Sequence, residues 1–214
     1  MLSAVLLAAT LSAAGTGAQE RPKPEQVYRH PRLEVRVPDF KAEGLILDIG
    51  GGGEGIIGQV KGKQVVAIDL SKRELDEAPG SPLLKIVMDA RDLKFVDRSF
   101  DTVTVFFTFM YIDPADHEKV LAEIARVLRP SGRLIVWDVT FPAAKTDERQ
   151  EWVVFPLHIT LPAREVETGY GVRFTPGRGA EPLLAAAAKA GFTLAARQDA
   201  AGWYFLEMTA PAGR

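Results

Sequence analysis

The chain has 214 residues, enough for one α/β domain with short additions. Hydrophobic residues make up 47% and charged residues 25%, and a formal net charge of −2 with scattered basic residues excludes a general attraction to nucleic acid or anionic membrane. Cysteine is absent, and the three histidines, His30, His117 and His158, are far apart in sequence, which excludes disulfides, thiolate chemistry and a local metal-binding pair.

Residues 1–18 carry no charged side chain, and their apolar stretch, 2–14, is too short for a bilayer-spanning helix of ~20 residues. It fits a secretory signal cut after Ala18, although no Lys or Arg precedes it. Cleavage there makes the chain secreted or periplasmic; the alternative is a leader on a cytoplasmic protein. Residues 19–40 contain Pro22, Pro24, Pro31 and Pro38 among charges and read as an extended lead-in, with the alternating 33–37 (LEVRV) a candidate edge strand. The main domain is placed at 41–214.

From Gly44 onward, strand and helix signals alternate. Apolar runs at 45–49 (LILDI), 64–68 (QVVAI), 84–88 (LKIVM), 101–109 (DTVTVFFTF) and 133–139 (RLIVWDV) suit strands covered on both faces. Ser71 opens a short helix over KRELDEA. Asp113 and Pro114 open another reaching Leu128, with Val120, Leu121, Ile124 and Val127 on its apolar face and His117, within DHEK, on the solvated one. Pro130 and Gly132 stop it. An alanine-rich helix at 181–190 ends at Gly191. Strands at 193–197 and 203–209 are joined too briefly to be parallel neighbours. The pattern predicts a doubly wound, Rossmann-like α/β fold, with a seven-stranded, mainly parallel sheet and an antiparallel last strand.

Residues 141–179 break the alternation. They are too long for a turn and hold Trp152, Phe155, His158, Tyr170 and Phe174, so they read as an insertion with a few short strands. Following the carboxyl end of a parallel strand, the segment is placed on the functional rim as a substrate cover, with Gly169 and Gly171 making a turn that presents Tyr170. The competing reading is a dimer contact; monomer and dimer both stay open.

Three acids mark the chemistry. Asp48 ends an apolar strand and runs into the successive glycines Gly50, Gly51, Gly52 and Gly53, a pattern that lets a ligand approach the backbone. An acid there fixes the turn or a ligand amine. Asp69, about 20 residues past the turn, stands where a carboxylate hydrogen-bonds a ribose diol; its plain role is a helix cap. Asp89 ends the third strand, where it can accept from an adenine amino group while Ala90 donates an amide.

The series LDIGGGG, AIDLS, MDARDLKFVDRSFDTV and ARVLRPSGRLIVWD resembles the class I S-adenosylmethionine-dependent methyltransferases, in particular the small-molecule, type 11-like branch that includes quinone-biosynthesis enzymes. The resemblance covers about 44–139 closely and the tail from 181 more loosely. It implies that Asp48, Gly50, Gly51 and Gly52 hold the methionine part of S-adenosylmethionine. Asp69 would bind its ribose, with Leu70 against the adenine, Asp89 and Ala90 at the adenine edge, and Phe106 and Phe107 beside the cofactor. It departs from the family in two places: the third glycine of DxGxGxG falls at Glu54, between Gly53 and Gly55, and Met110-Tyr111 replaces a polar pair common after the fourth strand.

The implied activity is in-line methyl transfer to a small-molecule acceptor, leaving S-adenosylhomocysteine, with neither metal nor nucleic acid involved. Tyr111, His158 and Tyr170 are candidate acceptor contacts; no catalytic residue is assigned. The alternatives are a nicotinamide-dependent oxidoreductase and a non-catalytic cofactor-binding relative. Export would favour the latter, since S-adenosylmethionine is made in the cytosol.

Overall fold

The structure, a computed structural model, describes residues 22–212, so the signal expected at 1–18 lies outside the described residues. In chain order the strands begin with β1 (Val27–Arg29) and β2 (Leu33–Arg36). Then come β3 (Ile46–Ile49), helix α1 (Ile56–Lys61), β4 (Val65–Asp69), α2 (Lys72–Glu77), β5 (Leu84–Val87) and β6 (Phe100–Phe106). Helix α3 (His117–Val127), β7 (Leu128–Val139), β8 (Trp152–Thr160), β9 (Glu165–Arg173), α4 (Ala180–Lys189), β10 (Thr193–Ala200) and β11 (Trp203–Thr209) complete the chain. These elements form two units: residues 22–38 with Phe141–Gly177, and Asp39–Thr140 with 178–212.

The larger unit is built on a seven-stranded sheet in the order β10-β11-β7-β6-β3-β4-β5. Strands β7, β6, β3, β4 and β5 are parallel to one another, and β11 runs antiparallel to both β7 and β10, the latter as their short connection requires. Strand β10 continues to Ala200, so the expected linker shrinks to a turn at 201–202, with Gly202 at φ +89°. One sheet face buries Leu47, Ile49, Val66, Ile68, Val103, Val105, Leu134 and Val136 against α3 and α4. Side chains alternate along a strand, so Asp48, Ala67, Asp69, Thr104, Phe106 and Trp137 belong to the opposite face.

Two local expectations change. The helix expected from Pro114 opens as a 3-10 turn, Pro114–Asp116, and becomes α-helical only at His117. His117, three, four and seven residues before Val120, Leu121 and Ile124, lies on their face and is buried rather than solvated, and charged neighbours conceal this in the sequence. The helix also passes directly into β7. The stop expected at Pro130 and Gly132 is a strand irregularity instead, with Ser131 at φ +60° and Phe100 paired to Leu128 before Thr102 pairs to Arg133. Ser71 caps α2 as its residue type suggests, accepting from the Glu74 amide at 3.2 Å.

The smaller unit gives the lead-in and the insertion a common purpose. Strands β1 and β2 lie end to end along one side of β8, both parallel to it, while β9 runs antiparallel along the other side. Pro156 of β8, which has no N–H, falls where the facing chain is interrupted between Arg29 and Leu33. Leu33, Val35, Phe155, Leu157 and Ile159 are buried, whereas Glu34 and Arg36 alternate outward. The separate strand signal at 33–37 is real, but its partner lies far along the chain.

His158 pairs with Glu34 across β2 and with Glu167 across β9. Its Nδ1 lies 2.6 Å from Glu34, and its Nε2 lies 3.4 Å from Glu165 and 4.0 Å from Glu167. The hydrogen bond to Glu34, then that to Glu165, raises the imidazole above its ordinary 6.5, and the same bond lowers Glu34. A raised histidine contributes stability that is complete below 6.5 and fades as pH rises through the folded value. An NMR titration of His158 should therefore give a pKa above 6.5, and Glu34→Gln should bring it down; an unshifted imidazole in both proteins would refute this account.

Candidate functional site

The direction of the large sheet's winding changes at β3. The chain moves from β3 to β4 and β5 on one side, and then returns to place β6 on the other side of β3. In open α/β sheets a crevice forms at such a reversal, outside the carboxyl ends of the strands. Asp48, Asp69 and Asp89 all come from that edge, Asp48 and Asp69 within adjacent strands β3 and β4 and Asp89 just beyond β5.

Asp48 is 2% exposed. Its cross-strand neighbours are Ala67 and Thr104, and Thr104 Oγ1 donates to its carboxylate at 2.8 Å. The chain leaving β3 folds back over it, with the Gly50 and Gly51 amides both donating to Ile68 O at 2.9 and 3.0 Å. Here the glycines are obligatory. A Cβ on Gly51 would stand 2.7 Å from Asp48 Oδ2 and 2.8 Å from the Ala67 Cβ; one on Gly52 would stand 2.6 Å from the Glu74 Cβ and 2.8 Å from Asp69 Oδ2. Glu54, where the family pattern has its third glycine, is flanked by Gly53 and Gly55 at φ +57° and +53°, so the left-handed turns sit on either side of it.

Asp69 is partly exposed and accepts from the Ser71 amide at 2.8 Å, and from the amides of Gly52 and Leu70. Burial raises its carboxyl, offset in part by those amides. Leu70 is 55% exposed, an apolar surface beside the acid. Asp89 is engaged by Arg91 through its amide at 2.8 Å and its guanidinium at 2.7–3.0 Å, and Arg91 also reaches Asp116 at 2.9 Å. The Arg91 bond holds the Asp89 carboxyl below its ordinary value. Ala90 is partly buried against the core.

Strand β6 ends at Phe106, shorter than the sequence suggests, because Phe107 takes φ +50° while its amide donates to Trp137 O at 2.7 Å. Left-handed backbone is costly for a bulky residue and is concentrated at functional sites. Both rings are buried, 4.9 Å apart. Tyr111 closes the next turn, Phe109–Tyr111, and is half-buried. The acids, the glycines, Leu70, Ala90, the two phenylalanines and Tyr111 thus share one unit, whereas His158 and Tyr170 stand on β8 and β9 of the other.

A further buried acid stands outside the residues that the sequence marks. Asp138, near the end of β7, accepts from the amides of Met110 at 3.2 Å and Val139 at 2.7 Å. Its signal was legible in LIVWDV, an acid ending an apolar run just as in LILDI and VVAID. Arg178, beside it in the fold, carries no such signal. Among the described residues no group of three or more His, Asp or Glu side chains is arranged to hold a metal ion, and no helix is long and apolar enough to cross a membrane.

Burial pushes the Asp48 carboxyl up from 3.8 to about 7, with the charge of Asp69 adding to it and the Thr104 bond opposing it. A raised carboxyl favours the folded state below 3.8 and loses that contribution as pH rises through about 7. Asp48→Asn should therefore be more stable than the wild type at pH 8, by up to about 4 kcal/mol, with the advantage shrinking towards pH 5. Urea unfolding of both proteins at the two pH values checks this, and equal pH dependence would refute it.

A family profile described as "Methyltransferase domain" matches residues 47–136. A demethylmenaquinone methyltransferase of Mycobacterium sp. (strain KMS) is 40% identical over 81 residues, which is 38% of this chain and 34% of that protein. An uncharacterized methyltransferase of Mycobacterium bovis is 32% identical over 142 residues, 64% of this chain and 53% of that one. The alignments thus span between about a third and about half of these relatives' length. A solved S-adenosylmethionine-dependent methyltransferase from Methanosarcina mazei superimposes with a TM-score of 0.58 at 17% identity, covering 81% of this chain and 95% of that one, and so shares the fold. Residues 47–136 thus match a methyltransferase domain, and the sheet order with its acid-ended strands is the fold shared with solved S-adenosylmethionine-dependent methyltransferases.

Proposed function

We propose that the chain transfers a methyl group from S-adenosylmethionine to a small-molecule acceptor. The observation that carries this reading is the glycine loop seated directly on two carboxylates from adjacent strands. The arrangement fits a ligand with an amine and a ribose diol. Asp48 supplies negative charge beneath the loop, where the methionine amine would sit. Asp69 keeps lone pairs for ribose hydroxyls beyond those taken by the Gly52, Leu70 and Ser71 amides. Leu70 offers an exposed apolar face for the adenine, and Ala90 an amide for its edge. Asp89 contributes less, because Arg91 already shares its charge.

The chemistry supplied by the cofactor is an electrophilic sulfonium methyl, passed in line to a nucleophile, with S-adenosylhomocysteine left behind. The protein's part is alignment and exclusion of water. Phe106 and Phe107, both buried, would wall the reacting end, and Tyr111 would meet the acceptor. Of the two expected contacts on the smaller unit, Tyr170 is half-exposed opposite Phe155 and the His158 ring nitrogens face three carboxylates, so the acceptor contact proposed is Tyr111 alone. The quinone named for the Mycobacterium relative supports an organic acceptor, and Met110-Tyr111 gives this chain its own acceptor edge.

Calorimetric titration with S-adenosylmethionine, S-adenosylhomocysteine and NAD tests the proposal. The two adenosyl ligands should bind and NAD should not. Asp69→Ala should weaken S-adenosylmethionine about tenfold or more, the loss of charge-assisted bonds of roughly 1.5–3 kcal/mol, and Asp89→Ala should act more mildly. Binding of NAD alone, or unchanged affinity in a folded Asp69→Ala protein, would overturn it.

A further inference from the structure

The turn that carries Tyr111 is held by buried charged groups for which the cofactor reading has no use. Asp138, 2% exposed, accepts the Met110 amide at 3.2 Å and the Phe109 amide as well. Arg178 donates from one guanidinium nitrogen to the carbonyls of Phe109 and Ile112, the two ends of the same turn. The N–H groups of Phe109 and Met110 thus go to a carboxylate, and the C=O groups of Phe109 and Ile112 to a guanidinium. Within the turn, Tyr111 N donates to Thr108 O at 2.9 Å and Ile112 N to Phe109 O at 3.0 Å.

The surroundings explain how an arginine is tolerated there. Burial lowers Arg178, opposed by the charge of Asp138, then by Tyr204 and Asp113. His117 Nε2 lies 3.2 Å from the same guanidinium, and burial together with the Arg178 charge lowers the imidazole, so it adds no second positive charge at neutral pH. Burial pushes Asp138 itself up to about 6, leaving it mainly ionised at neutral pH as the counter-charge. An apolar pair of similar volume would fill the space at less cost. What it would not supply is donors and acceptors for one turn of four residues.

We propose that Arg178 and Asp138 are positioning residues that fix the turn at 109–112, and with it Tyr111 as an acceptor contact. The purpose rests on the methyl-transfer reading; the clamp itself does not. The test is amide hydrogen exchange together with S-adenosylhomocysteine titration on the full chain, comparing wild type, Arg178→Met and Arg178→Lys. In Arg178→Met the amides of Met110, Tyr111 and Ile112 should exchange about tenfold faster or more, while those of Val103, Thr104 and Val105 and the S-adenosylhomocysteine Kd stay within about twofold. Arg178→Lys should restore part of the protection, because a lysine keeps the charge but lacks the planar fork. Unchanged exchange at the three amides overturns the clamp. So does acceleration shared equally by the β6 amides with no recovery in the lysine protein. If Arg178→Met does not fold, the lysine protein alone must show the same local pattern. A wild-type chain that fails to bind S-adenosylhomocysteine overturns the methyl-transfer reading instead, and the exchange pattern still decides the clamp.

Discussion

The carboxyl edge of the large sheet depends on one close approach: the Gly51 and Gly52 backbone packed onto the side chains of Asp48 and Asp69. Any side chain on those glycines would stand within 3 Å of a carboxylate oxygen, so the loop, the two acids and the register of β3 against β4 form a single fitted set. The fit also explains the neighbours. Ala67 is small because the loop descends beside it, and the Thr104 hydroxyl gives the buried Asp48 carboxylate a donor. The cost is a buried carboxyl driven up to about 7, which an apolar residue would avoid. Retaining a destabilising group at a functional edge is the usual pattern when local stability and function compete.

The same device recurs along that edge. Asp69 gathers the amides of Gly52, Leu70 and Ser71; Asp138 gathers those of Met110 and Val139. In each case an acid near the end of a strand satisfies backbone donors from its own edge and from the segment that leaves another strand beside it, Gly52 after β3 and Met110 after β6. Backbone that is irregular but fully bonded can present a surface without being loose. Phe107, held in a left-handed conformation by its bond to Trp137 O, belongs to the same system.

Much of this was legible because its signals are local. Asp48, Asp69 and the four glycines occur within a few residues of the runs that form β3 and β4, and Ser71 caps the helix it precedes. The antiparallel β11 follows from a connection too short for any crossover. What escaped was non-local or a matter of phase. His117 is buried because it lies three, four and seven residues before Val120, Leu121 and Ile124, on the apolar face, a phase that the charges around it conceal. Residues 22–38 look like a lead-in because nothing near them offers a partner, and their partner is β8. Arg178 cannot be recognised without knowing that the turn at 109–112 lies beside it.

The parallel pairing of β2 with β8 also bears on the order of events during synthesis. Leu33, Val35 and Val37 leave the ribosome more than a hundred residues before Leu157 and Ile159, which their strand pairs against. At about 5–20 residues per second the delay is on the order of ten seconds, far longer than a hydrophobic segment needs to find a wrong partner. Arg32, Glu34 and Arg36 alternate with those apolar residues and later line the outer side of the strand. Charges interleaved with apolar residues in this way break up the kind of run that aggregates while its partner strand is still missing.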